Sequence, residues 1–250
     1  MKTIKFALCG GLGRMGKAIS SLCAQSPEFL PILVEHPSKA SEGICTDLSE
    51  VINNVELVVD FAGSSEATLE FVKISAESKK PIIIGTTGHS KDQLSQIESF
   101  ALKIPILIAP NMSLGVNLLF KLARIACKSL RERGFDAEIL EIHHRHKKDA
   151  PSGTALRLES IVLESLGLNK AVHSRFGIAP RHDDEVSTLA LRGGDVIGEH
   201  TLFLFGQGER LELTHRASSR DIFARGCLEA IRWIKDKSPG LYSMEDVLEV

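Results

Sequence analysis

The strongest constraint on the fold lies near the N-terminus. An apolar run, Ile4-Lys5-Phe6-Ala7-Leu8-Cys9, is followed at once by Gly10-Gly11-Leu12-Gly13-Arg14-Met15-Gly16 and then by the helix-forming stretch Lys17 to Ala24. Glycines between a strand and a helix allow a tight turn and close backbone approach to a pyrophosphate, which then meets the unpaired N–H groups and positive dipole end of the helix. A dinucleotide site also needs an acid at the end of the next strand, about 20 residues on, to bind the ribose hydroxyls. Glu35, closing Pro31-Ile32-Leu33-Val34-Glu35, stands there. The alternative reading is a turn that only joins a strand to a helix. A nucleoside triphosphatase loop is disfavoured, because Gly16-Lys17 is followed by Ala18 rather than by Ser or Thr.

Four further apolar runs or strand candidates continue the pattern through Pro31–Glu35, Leu57–Phe61, Pro81–Gly85 and Pro105–Ala109, with helices expected from near Gly13, Ser65 and Ser90. Short runs rich in branched residues, alternating with helical stretches, predict a Rossmann-like, doubly wound parallel sheet. Residues 37–54 are polar and weakly patterned, compatible with loop, short helix, or both. Beyond Pro110 the character changes. A helix is expected from Gly115 to Arg131, a strand from Ala137 to His144 and a helix opening near Ser152. Strands follow at Glu185–Leu191, His200–Phe205 and Arg210–His215. Consecutive strands joined by glycine-containing turns predict a second, α+β domain with a mixed or antiparallel sheet. A last helix, Ile222–Lys235, has an apolar face.

Composition excludes several classes. With 30 Lys plus Arg against 32 Asp plus Glu, the chain lacks the basic excess of a protein that wraps nucleic acid. Aromatics at 5% argue against a base-stacking or sugar-stacking surface. Five scattered cysteines without a Cys-x-x-Cys pair fit reduced thiols. Lys5 breaks the apolar stretch that would make the N-terminus a signal peptide, and no apolar run approaches the roughly 18 residues a membrane helix needs. A soluble, cytoplasmic protein is expected, with neither nucleic acid nor membrane as partner.

The most unusual segment is Glu141-Ile142-His143-His144-Arg145-His146-Lys147-Lys148-Asp149-Ala150-Pro151-Ser152-Gly153-Thr154-Ala155. If the strand runs on, His144 and His146 project to one face, His143 and Arg145 to the other. Ser152-Gly153-Thr154 then opens a helix behind a proline, offering hydroxyls and N–H groups beside cationic side chains, a setting that suits a small dicarboxylate. A solvated basic stretch is the bland alternative. A zinc site fits poorly, since Arg and Lys repel a dication and no evident ligand set is complete, so no metal is expected. Two loops at strand ends, Gly85-Thr86-Thr87-Gly88 and Ala109-Pro110-Asn111-Met112-Ser113, carry groups able to reach a nicotinamide ribose and carboxamide, or serve as ordinary turns.

The glycine loop and the Glu141–Ala155 segment together closely resemble the dihydrodipicolinate reductase family. So do Gly85–Gly88, Asn111-Met-Ser-Leu-Gly-Val-Asn117, Gly193-Gly-Asp-Val-Ile-Gly-Glu-His200 and Thr214-His-Arg-Ala-Ser-Ser-Arg220, which extends the likeness through nearly the whole chain. The resemblance implies an oxidoreductase that uses NADH or NADPH to reduce 4-hydroxy-tetrahydrodipicolinate to tetrahydrodipicolinate in lysine and diaminopimelate biosynthesis, by hydride transfer followed by protonation. It implies a cofactor held by Gly10, Gly11, Leu12, Gly13, Arg14, Met15, Glu35, Gly85, Thr86, Thr87, Ala109, Pro110, Asn111 and Met112. It makes His143 and Lys147 the proton-transfer residues, and His144, Gly153 and Thr154 the holders of the substrate carboxylates, with Ser152 beside them and Arg220 a further substrate or domain-closure contact. It also implies a homotetramer built through the second domain's sheet. Residues 1–113 and 221–250 are expected to form the dinucleotide-binding domain and residues 114–220 the substrate-binding and oligomerisation domain, with hinges near 113 and 221. Two substitutions depart from the family: His36 stands where many relatives carry Arg or Lys, which leaves the choice between NADH and NADPH open, and Ala62 replaces a frequent threonine.

Overall fold

A computed structural model describes residues 3–39 and 41–249. The elements run β1 (Ile4–Cys9), α1 (Arg14–Cys23), β2 (Phe29–Val34), α2 (Leu48–Val51), β3 (Leu57–Asp60), α3 (Ser65–Glu77), β4 (Ile82–Ile84), α4 (Lys91–Phe100) and β5 (Pro105–Ile108). They continue with α5 (Leu114–Leu130), β6 (Asp136–His143), α6 (Gly153–Leu166), β7 (Lys170–Val172), β8 (Glu185–Arg192), β9 (Gly198–Gly206), β10 (Glu209–Ala217), α7 (Asp221–Ile234), β11 (Gly240–Tyr242) and α8 (Met244–Val247). The chain divides into two compact units: Met1–Leu114 with Asp221–Val250, and Gly115–Arg220.

In the first unit, β11-β5-β4-β3-β1-β2 form a six-stranded sheet whose pairings are all parallel. Its strands are largely apolar because both faces are covered, Lys5 and Asp60 being the charged exceptions in β1 and β3. Phe6, Leu8, Leu57, Val59, Ile83 and Leu107 point to one side, with Ile19 of α1 and Ala224, Cys227 and Ile231 of α7. Ala7, Cys9, Val58, Ile82, Ile84 and Ile106 point to the other, with Val72 of α3 and Ile97 of α4. The chain leaves β1 toward β2 and then crosses back to β3, so the C-terminal ends of β1 and β3 flank a switch-point crevice, where ligands of open α/β sheets bind.

In the second unit the order is β10-β9-β6-β8-β7, with β10/β9 and β9/β6 antiparallel and β6/β8 and β8/β7 parallel, a mixed sheet. One face packs Ala137, Ile139, Val186, Leu202 and Leu204 against Phe120 and Ala123 of α5 and Leu158, Ile161 and Val162 of α6. The other face bears Leu189, Leu191 and Phe205, all exposed.

β1 occupies the residues its sequence predicts. Three elements have no counterpart in the periodicity: β7 and β11 span three residues each and α8 four, too short to show a repeat. The expected strand through His144 ends one residue earlier, at His143, and a turn at Arg145–His146 follows, so the alternating-face arrangement of His144 and His146 does not form.

Candidate active site

The first unit gathers the glycine loop, Glu35 and the two later loops at the C-terminal ends of its parallel strands. Gly10 takes φ +79°, and a Cβ there would lie 2.4 Å from the Phe61 carbonyl oxygen at the end of β3, so only glycine lets β1 and β3 approach this closely. A Cβ on Gly16 would sit 2.4 Å from the Gly11 oxygen. The N-cap of α1 is Gly13, which gives no side-chain cap, and no acid occupies the first turn. By contrast, serine side chains cap α3, α4, α6 and α8. The first bond of α1 runs from Lys17 N–H to Gly13 C=O, so the N–H groups of Arg14, Met15 and Gly16 precede the helical ladder. Such an end suits a pyrophosphate.

Glu35 is buried at the end of β2. Its Oε1 accepts from the Leu12 N–H at 2.7 Å and its Oε2 from Lys39 Nζ at 3.0 Å. Burial alone would raise this carboxyl, but the Leu12 N–H and the Lys39 ammonium hold it below the usual glutamate value. The acid expected to meet ribose hydroxyls is thus also the clamp on the glycine loop. His36 is exposed, with Nδ1 2.9 Å from Ser38 Oγ. Thr86 is buried, and its hydroxyl accepts from Gly63 N–H at 3.1 Å. Thr87 and Pro110 are exposed. Asn111 closes a turn by accepting Ser113 N–H at 2.9 Å, while Ala109 and Met112 are buried in the core. Gly226 of α7 packs on this turn so closely that a Cβ would fall 1.8 Å from the Met112 oxygen.

The second unit places His143 at the last position of β6, buried, with Glu141 two residues earlier on the same face. Glu141 is fully buried and its carboxylate makes four bonds to three residues. Oε1 accepts from Ser152 N–H at 3.0 Å and Arg192 Nη2 at 2.6 Å; Oε2 accepts from Arg192 Nη1 at 2.9 Å and bonds His143 Nδ1. Burial opposes its ionisation, yet Arg192, His143 and the Ser152 N–H hold the carboxyl below its ordinary value. Burial, with Lys147 and Arg192 nearby, holds the His143 imidazole below the usual histidine value, and Glu141 pulls the other way. His200 of β9 lies edge-on to His143, ring centroids 5.2 Å apart, and burial lowers its pKa to about 4, so it is neutral near pH 7.

Ser152 caps α6: its hydroxyl accepts Ala155 N–H at 3.2 Å and lies 3.1 Å from His200 Nε2. The hydroxyl is buried and engaged by the helix cap and by His200. Gly153 and Thr154 form the first turn of α6, and a Cβ on Gly153 would meet open space. Lys147 Nζ bonds both carboxylate oxygens of Asp149 at 2.9 Å. His144 is partly buried, its ring centroid 6.3 Å from that of His146. Arg220, exposed, is the last residue of the second unit.

Glu141, His143 and His200 are the one group among the described residues whose ligand atoms, within 4.8 Å of one another, could share an ion. The Arg192 guanidinium already bonds both oxygens of Glu141, so the donor set is that of an ion-pair network rather than of a metal centre.

Comparison with known proteins settles the family. The model for the N-terminus of dihydrodipicolinate reductase matches residues 4–112, and that for its C-terminus matches residues 115–248. The 4-hydroxy-tetrahydrodipicolinate reductase of Aquifex aeolicus is 47% identical over 262 residues, covering 98% of this chain and 99% of that protein. The chain belongs to the dihydrodipicolinate reductase family. The reductase of Methanopyrus kandleri is 42% identical over 266 residues, covering 98% of this chain and 96% of its own. In fold, the chain is similar to the dipicolinate-bound dihydrodipicolinate reductase from Paenisporosarcina sp. TG-14, with a TM-score of 0.83, 24% identity, and 98% and 99% of the two chains covered.

Four polar residues of this reductase were assigned no role by its sequence. Glu141, Arg192 and His200 surround His143. Asp60, fully buried at the end of β3, accepts from Ala62 N–H at 2.8 Å and Thr68 Oγ1 at 2.6 Å, and holds the loop at the crevice. Burial raises its carboxyl above the ordinary value, against the bonds from Thr68, Ala62 and Thr86. The signals were slight: an acid ending an apolar strand, and an acid two residues before a histidine.

Proposed function

We propose that this chain reduces 4-hydroxy-tetrahydrodipicolinate to tetrahydrodipicolinate with NADH or NADPH, a step of lysine and diaminopimelate biosynthesis. The observation that carries this is the end-to-end match to reductases of that name, across both halves of the chain.

NAD(P)H, when bound, supplies a hydride to the conjugated ring of the cyclic dicarboxylate. The uncapped end of α1 and the glycine cradle of Gly10–Met15 hold the pyrophosphate, and Glu35 meets the adenosine ribose. Gly85–Thr87 and Ala109–Met112 line the nicotinamide end. His144 and the first-turn N–H groups of Gly153 and Thr154 hold the substrate carboxylates, with Arg220 a further contact. His143 delivers the proton that completes the reduction, through Nε2, because Nδ1 is committed to Glu141. Lys147, oriented by Asp149, adds positive charge and a second proton source.

The face of the second sheet opposite α5 and α6 carries Leu140, Ile142, Leu189, Leu191, Phe203 and Phe205, the last two stacked with ring centroids 5.7 Å apart. A sheet face on which Leu189, Leu191 and Phe205 stand exposed supports a homotetramer built through it. No helix among the described residues is long and apolar enough to cross a membrane. Five free cysteines fit a reducing cytoplasm.

Calorimetry with pyridine-2,6-dicarboxylate tests the anion site. Binding that tightens in the presence of nicotinamide cofactor supports the reading; a dicarboxylate ignored with and without cofactor contradicts it.

A further inference from the structure

The register of three strands builds the surroundings of His143. Arg192 lies opposite it on β8, and on β9 His200 lies opposite Glu141. A carboxylate with no solvent contact persists in the fold only when its charge and its lone pairs are both matched. The four bonds to Glu141 meet that condition, and one of them is spent on the ring of His143. Arg192 does more than neutralise: its Nη2 also donates to the Asp149 carbonyl at 2.8 Å, tying the loop that carries Lys147 to the same carboxylate.

With Nδ1 committed, Nε2 is the one ring nitrogen His143 can offer. Its setting is made by glycine: a Cβ at Gly198 would approach Nε2 to 3.0 Å. His200, held through its Nε2 by Ser152, stands at 76° to the ring and limits its rotation.

We propose that Glu141 and Arg192 act as a positioning pair for His143, Glu141 fixing the tautomer with the proton on Nδ1 so that Nε2 exchanges protons with the substrate, and Arg192 keeping the exchanged proton off the carboxylate. The proposal rests on the reading of His143 as the proton donor. Glu141 is fully buried and acts on the proton transfer through the ring of His143. The charged and titratable groups facing His143 are Glu141 on its own strand, Arg192 from β8, His200 from β9 and Lys147 from the following loop, with His215 of β10 beside His200. Removing the charge of Glu141 leaves burial, Lys147 and Arg192 all disfavouring the imidazolium, so the His143 pKa falls.

The test is a cycle of Glu141→Gln and His143→Ala in the full chain, with kcat, KM and the pH dependence of kcat measured. Glu141→Gln alone is expected to lower kcat by about 100-fold with KM for both reactants changed by less than about twofold. The limb on which activity falls with rising pH should move to lower pH. Added to His143→Ala, Glu141→Gln should cost less than about twofold more, because a positioning residue has nothing left to position. An unmoved limb, or the same loss in the presence and absence of His143, overturns the proposal and assigns Glu141 a structural role. Should Glu141→Gln not fold, nitrogen NMR of histidine-labelled wild-type enzyme decides: neutral His143 protonated on Nδ1 supports the proposal, and protonation on Nε2 overturns it. Full activity of His143→Ala would remove the assignment of His143 itself, and the positioning role with it.

Discussion

Gly198→Ala separates crowding of Nε2 from damage to the fold. Gly198 opens β9, and its new Cβ would lie 3.0, 3.4 and 3.8 Å from Nε2, Cδ2 and Cε1 of His143. Ordinary contact begins near 3.4 Å, so the ring must yield by a few tenths of an ångström, directed away from the nitrogen that meets the substrate. The methyl also stands in the approach to Nε2. A misplacement of 1 Å costs up to about 100-fold, which sets the expected loss in kcat at about 5- to 20-fold. Stability should move the other way or not at all, since removing a glycine from the unfolded chain gains about 0.4–1 kcal/mol where the backbone tolerates it. Gly193→Ala is the control: its Cβ would meet nothing within 4 Å, although its N–H also bonds the His143 carbonyl. Thermal melts and steady-state kinetics on the two variants are the assays. Gly198→Ala should keep its melting temperature and lose turnover, and Gly193→Ala should keep both. Wild-type turnover in a folded Gly198→Ala enzyme would refute the argument that Nε2, presented beside residue 198, is the exchanging atom.

Two predictions concern the other unit. Gly10→Ala puts a Cβ 2.4 Å from the Phe61 oxygen at a φ of +79°, so a loss of about 1–3 kcal/mol from strain alone and a severe loss of cofactor affinity are expected, read by chemical denaturation and by fluorescence titration with NADH. Lys39→Ala removes the cation that neutralises Glu35 at the end of β2; KM for NADPH should rise about 10-fold while KM for NADH stays nearly unchanged, and the melting temperature should fall slightly, because Lys39 is half exposed but the carboxylate it neutralises is buried.

The parts of the molecule legible in its sequence are those whose physics is local. Gly16 is required by contacts inside a single turn and Gly10 by its positive φ, although the Phe61 carbonyl that a Cβ on Gly10 would strike is distant in the chain, and β1 is bounded by the same glycines that announce it. Glu35 follows because the strand that carries it must end beside that turn, yet its bond to Leu12 depends on atoms 23 residues apart and could not be read. The helix opening at Ser152 was legible from Pro-Ser-Gly-Thr, whereas the direction of the Ser152 hydroxyl was set by His200, 48 residues away. Arg192 reaches Glu141 across 51 residues through parallel pairing of β6 with β8, and register between distant strands leaves no mark in either segment alone. His143 was identifiable as a residue type, while the network that orients it was not. Lys147 was read as a proton-transfer residue from the resemblance; its pairing with Asp149, two residues on, was not read.

The most direct test of the account is turnover itself. Freshly generated 4-hydroxy-tetrahydrodipicolinate, added to the enzyme with NADH or with NADPH, should bring a loss of the reduced nicotinamide absorbance that depends on both enzyme and substrate. Substrate-independent absorbance, unchanged with either cofactor over a range of enzyme concentrations, would contradict it.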